Sequence, residues 1–352
     1  MECPHNLTLD QRLAFSKYQT NDETFLHFHG YLMGSLAVLA FTLTLIFIVT
    51  TSQAIHLHRG SRKYRVLLLN RAIGDLIGTI TVTISSILII ISPNTNRDAV
   101  TLIGCFFYST FWSAFISYTS LSILKLYAVL RPFSYRKVFT FHKCIYIILV
   151  CWIIFVFCVS MCAGVVAIRI HVYWLTEHLH GFRYFFSTFI CFDYTFTIII
   201  FIVTVIVLKK IEMNEKKSMS NTRGESCTSK GGARFGKIGF PLWKLGLNVT
   251  TFAVFQAPLV IWNLYLFSKT GCFSLFHYAE TMKTQAFVGA TILLRIITDF
   301  FVSFITDYQL RKVFLDWMSL LRNRFKSYRS RTSSDTSVIS DSQKKFTDRS
   351  SF

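Results

Sequence analysis

Two arginine–aspartate pairs stand where charge is costly. Arg71-Ala-Ile-Gly-Asp75 and Arg295-Ile-Ile-Thr-Asp299 each lie inside a long apolar run. Residues four apart share one face of a helix, so each arginine can neutralise the aspartate one turn away. Two readings follow. One is plain neutralisation, which lets a charged helix enter lipid at all. The other is a buried ionic network with a switch-like role, the default expectation for ionisable groups within a membrane. A further acid, Asp193, has no basic residue three or four positions away. It is a candidate contact for a cationic ligand group; the alternatives are a partner from another span or a water-filled cavity. No nucleophile–base pair, metal-ligand cluster or phosphate-binding loop accompanies these residues, so neither an enzyme nor a cofactor or metal site is expected.

The segments that must position these charges are apolar and long. The chain has 352 residues, of which 52% are hydrophobic and 16% charged, and 36 are phenylalanine. A helix of about 20 apolar residues spans the ~30 Å hydrocarbon core of a bilayer. Runs of that kind predict spans near 30–54, 66–91, 99–128, 143–168, 184–208, 240–267 and 285–306. The expected fold is therefore an all-α membrane protein, a seven-transmembrane bundle at the plasma membrane. Its domains are an extracellular segment 1–29, a membrane portion 30–306, a surface helix 307–323 and a cytoplasmic tail 324–352. No separable signal peptide is expected, and no internal repeat of the kind found in inverted-repeat transporters is visible.

Orientation follows from the basic residues. Most of the 37 lysines and arginines fall in the first, third and fifth connections and the C-terminal tail. Positive residues stay on the cytoplasmic side, which puts the N-terminus outside. The net charge of +19 then reflects basic loops facing an anionic inner leaflet, not nucleic acid. Asn6-Leu7-Thr8 is an N-glycosylation sequon on the outer side. Cys3, Cys105, Cys162 and Cys272 lie at or near that oxidising side and could pair, with connectivity left open. After the last span, Leu310, Val313, Phe314, Trp317, Leu320 and Leu321 fall on one helical stripe with Arg311, Lys312 and Arg322 beside it. That pattern predicts a helix lying on the membrane surface. The loop 211–239 and the serine-rich tail read as flexible.

Several short motifs add to this reading. Ala128-Val129-Leu130-Arg131-Pro132-Phe133 follows Lys125 at the end of the third span. Leu69-Asn70-Arg71-Ala72-Ile73-Gly74-Asp75-Leu76 lies in the second. Trp152 lies in the fourth, and Phe252 and Phe255-Gln256-Ala257-Pro258 lie in the sixth. Asp299 to Phe314 runs from the seventh span into the surface helix. Together they resemble rhodopsin-like G-protein-coupled receptors, most of all the divergent serpentine chemoreceptor-type receptors of nematodes. The resemblance places Asp75 on the buried acid of the second span and Asp299 on the asparagine of the seventh-span Asn-Pro-x-x-Tyr motif. It places Lys125 on the arginine of Asp-Arg-Tyr, with Leu124 in place of the acid, and Gln256 on the tryptophan of Cys-Trp-x-Pro.

The resemblance implies a receptor for an extracellular small molecule or neuropeptide that signals to a heterotrimeric G protein. Lys125, Arg131, Pro132 and Phe133 would couple to the G protein, and α-helical motion would pivot at Pro258. Asp75, Asp299, Arg295, Arg71 and Gln256 would form an intramembrane polar switch, with Arg295 serving as an internal cation between the two acids. Phe107, Asp193, Trp262 and Tyr265 are candidates for the ligand pocket; such aromatics also serve as core packing or interface belt. The tail could meet a receptor kinase and arrestin. Two other classes stand against this one: a seven-span transporter or ligand-gated channel, whose charged pairs line a pathway, and a non-signalling receptor-like scaffold.

Overall fold

The computed structural model describes residues 26–57, 62–91, 97–130, 139–171, 179–222, 242–268, 278–320 and 322–323, with some side chains inside those helices left out. Its long helices are α1 (Met33–His56), α2 (Arg62–Ile91), α3 (Arg97–Leu130), α4 (Phe141–His171), α5 (Leu179–Thr222), α6 (Leu242–Phe267) and α7 (Tyr278–Thr306). A π-helical turn, Leu26–Leu32, leads into α1, and a last helix, α8, occupies 308–320. No strand occurs among the described residues. Six helical stretches there are long and apolar enough to cross a membrane, in α1, α2, α4, α5, α6 and α7. The remaining expected span, 99–128, is helical within α3.

The helices are apolar on nearly every face, as lipid requires, so packing is set by small and polar residues. On α1 the buried stripe is Met33, Ala37, Ala40, Thr44, Phe47, Thr51 and Ala54, a spacing of three or four with several small side chains. Gly78 on α2 allows a close crossing: a Cβ there would lie 2.7 Å from Thr110 Oγ1 on α3. α7 is the most enclosed membrane-length helix, with 56% of its apolar window buried against 11% for α4. It packs against α1 and α6, while α3 packs against α2, α4 and α5. The centre is apolar and aromatic: Phe107, Tyr118, Phe252, Ile292, Leu293 and Ile296 share one buried cluster.

Two expectations about the chain's polar ends need correction. Residues 211–222, read as part of a flexible loop, continue α5 as helix to Thr222. Lysine, glutamate and methionine there are good helix formers and need no apolar partner. In α8, Leu310 and Val313 do not face lipid; they are buried against Phe47, Ala54, Ala72, Phe300 and Phe304. The exposed apolar side chains of α8 are Tyr308, Leu315, Met318 and, from the expected stripe, Leu320 at 61%. Apolar side chains of α1, α2 and α7 meet at this level, and α8 packs its nearest apolar row against them. Leu321 lies outside the described residues.

The start of α8 is fixed by Asp307. Its Oδ1 accepts from the backbone N–H of Gln309 at 2.9 Å and of Leu310 at 3.3 Å, satisfying donors that a helix start leaves free. Arg65, in the first turn of α2, is only 4% exposed. It donates to the carbonyl of Ala54 and to Gln309 Oε1, both at 2.8 Å, and lies 3.9 Å from Asp307 Oδ2. One buried guanidinium thus ties the end of α1 and the start of α2 to the start of α8.

Candidate functional site

Asp75 and Arg71 on α2 meet Asp299 and Arg295 on α7 in the interior. All four are buried, Arg295 being 2% exposed. The same-helix contacts are the looser ones: Arg71 Nε to Asp75 Oδ2 is 3.7 Å and Arg295 Nε to Asp299 Oδ2 is 3.8 Å. The close contacts cross between helices. Arg71 Nη2 pairs with Asp299 Oδ2, and Arg295 Nη2 with Asp75 Oδ1. Each arginine therefore bends its Nε toward its own helix's acid and sends its tip to the other's. The same-helix contacts expected from the spacing are present, the crossing contacts are the closer ones, and Arg295 lies against both acids. The guanidinium reaches across because both acids are buried in the interior and a long side chain can serve two carboxylates at once.

The cluster is neutral as a set of two arginines and two aspartates, so its charge balance calls for no further cation. Tyr118 on α3 completes it. Its hydroxyl donates to Asp299 Oδ2, and its ring centroid lies 4.2 Å from the Arg71 guanidinium carbon, within cation–π range. The same ring meets Phe252 on α6 at 4.7 Å between centroids, and Phe252 stacks with Tyr194 on α5 at 6.1 Å. Tyr194 donates to the Ala253 carbonyl at 3.0 Å. Contacts thus run from the charges on α2 and α7 through α3 to α6 and α5. Tyr118 was not singled out from sequence: one tyrosine in an apolar span looks like any interface aromatic, and nothing in its spacing reveals its depth.

A cavity opens beside the cluster, lined by Arg71, Asp75, Asp299, Thr44, Ser303 and Phe300 among others. Asp299 Oδ1 has no hydrogen-bond partner, and nor do Arg295 Nε and Nη1 or either polar atom of Gln256, which is fully buried. Among the described residues no group of three or more histidine, cysteine, aspartate or glutamate side chains could hold a metal.

A second polar knot lies on the other side of α2. Trp152 Nε1 donates to Asn70 Oδ1 at 2.9 Å, and Asn70 Nδ2 donates to Ser117 Oγ at 3.2 Å. It joins α2, α3 and α4. The ligand candidates lie elsewhere. Phe107 is 4% exposed in the central apolar cluster. Asp193 is half-buried on α5, next to the exposed Phe192 that stacks with Phe196 at 6.0 Å. Trp262 stacks with Tyr265 at 5.6 Å, and Tyr265 is 41% exposed. Pro258 lies inside α6.

Asn6, Cys3, Cys272, Arg131, Pro132 and Phe133 lie outside the described residues, as do the side chains of Lys125, Cys105 and Cys162. Cys144, Cys151, Cys158 and Cys191 form no disulfide among the described residues. Compared with protein-family models and with curated proteins, the chain has no match.

Proposed function

We propose that the chain is a divergent rhodopsin-like receptor. In this reading it spans the plasma membrane seven times with α3 as the remaining span, keeps its N-terminus outside, and senses an extracellular small molecule or neuropeptide. It passes the signal to a heterotrimeric G protein through the basic inner surface around Lys125, Arg131, Pro132 and Phe133. The observation that carries the reading is the meeting of Asp75 and Asp299, the two acids singled out by the resemblance, at the centre of one buried cluster. Intramembrane charges of this kind mark functional positions by default.

Pro258 supplies the moving part. It has no N–H to donate to the carbonyl of Val254, so α6 has a weak point midway along its length. Phe252, on the inner side of that point, lies on the Tyr118 ring, so a swing of α6 would be felt by the cluster. α8, with exposed Arg311 and Lys312 beside Tyr308, Leu315 and Met318, suits an anionic inner leaflet. The tail beyond it would serve a kinase and arrestin.

The test is reconstitution of the full chain in vesicles with purified G proteins, screened with odorant and neuropeptide collections. Ligand-dependent nucleotide exchange is expected, lost in Lys125→Ala. Ligand-gated current without any nucleotide exchange would instead establish a channel.

A further inference from the structure

The charge cluster is balanced in charge but not in hydrogen bonds. Arg295 leaves Nη1 unpartnered, and Gln256 leaves both Oε1 and Nε2 unpartnered, all in the fully enclosed interior. A buried polar group without a partner is destabilising, and native interiors keep few of them. Here a donor and an acceptor are left over on neighbouring helices, α7 and α6, which pack directly on one another.

Their levels in the bundle agree. Tyr118 touches both Phe252 on α6 and Asp299 on α7. Gln256 lies four residues after Phe252, and Arg295 four residues before Asp299. The two helices run in opposite directions, so both steps go the same way along the bundle, by about 6 Å, or 1.5 Å per residue. The Arg295 guanidinium carbon stays 5.9 Å from the Tyr118 ring centroid. Gln256 lies inside the weak point between Val254 and Pro258, and Phe252 lies one turn inward of it, so the inner half of α6 can turn about that point.

We propose that Gln256 is a second acceptor for Arg295, and that the cluster has two arrangements. In the first, described above, Arg295 gives its tip to Asp75, and Gln256 is unsatisfied. In the second, α6 turns and Gln256 Oε1 accepts from Arg295 Nη1, drawing the guanidinium away from α2. Gln256 is thus a positioning residue that makes the α2–α7 ion pairs respond to α6. This holds whatever the bundle signals to, because it concerns only contacts within the bundle.

Two measurements on the full chain in detergent test it. Gln256→Leu removes both unpartnered atoms at similar volume, so the thermal unfolding midpoint rises by about 2 °C or more; Gln256→Met gives the same sign. A fall in both variants would overturn the proposal, because it would mean the carboxamide is already satisfied. Spin labels placed through ketone-bearing residues at exposed Val254 on α6 and Ile80 on α2 leave the native cysteines untouched. Two distance populations are expected in the wild type, with one lost in Gln256→Leu and the other enriched in Gln256→Glu, whose carboxylate pulls harder on Arg295. One population, unchanged across the variants, would also overturn it.

Discussion

At the scale of residues, the structure turns on how a guanidinium divides its donors. Arg71 serves Asp299 with Nη2, approaches Asp75 with Nε, and sets its guanidinium carbon over the Tyr118 ring. Lysine could hold the charge but not this fork and face. Tyr118 contributes two separable things, a hydroxyl to Asp299 and a ring to Arg71. Tyr118→Phe keeps the ring and drops only the hydroxyl, so we expect a loss of about 1.5–3 kcal/mol, the usual range for a hydrogen bond to a charged group. Tyr118→Leu should cost more, since the cation–π contact goes too. Chemical denaturation of the two variants in detergent checks the order; equal losses would mean the ring adds nothing beyond the hydroxyl. The four charged residues were legible in the sequence because charge within apolar runs stands out. The place of Arg295 between the two acids was expected from the resemblance; the reach of Arg71 to Asp299 was not, since spacing reports only same-helix neighbours. Tyr118, Asn70 and Arg65 were hidden for a related reason: their partners come from other helices.

At the scale of elements, α8 is held by polar and apolar contacts together. Arg65 and the Asp307 cap fix its start, while Leu310, Val313 and the Phe300–Phe304–Phe314 run fix its inner face. Arg65→Met removes the polar tie and leaves the apolar one. Hydrogen exchange over 308–320 should then quicken by about tenfold or more, in line with ~1.5–3 kcal/mol for bonds to a charged donor. Exchange in α2 and α7 near the cluster should stay as it was. A change spread evenly over the molecule would show instead that Arg65 supports the whole bundle. The period of the α8 stripe was correct in the sequence; its direction was not. An amphipathic pattern says which residues share a face, and only the neighbouring helices decide whether that face meets lipid or protein.

At the scale of the whole molecule, helix existence follows from hydropathy, and the placement of α7 at the interior from its polar residues. Lipid supplies no hydrophobic drive between helices already surrounded by apolar tails, so buried polar contacts and close packing must choose neighbours. The cluster makes that choice for α2 and α7, and the Asn70 knot makes it for α2, α3 and α4. Removing a single member leaves a buried charge without its partner, a loss of about 3–5 kcal/mol. Removing both members of a pair that face one another should cost less than the sum. The central claim is that the ion pairs cross from α2 to α7, and double-mutant cycles on unfolding free energy measure it directly. Asp75→Asn with Arg295→Gln, and Arg71→Gln with Asp299→Asn, should each show coupling of about 0.5–3 kcal/mol. The same-helix cycles, Arg71 with Asp75 and Arg295 with Asp299, should show less. Larger coupling within each helix than between them would contradict the crossed arrangement.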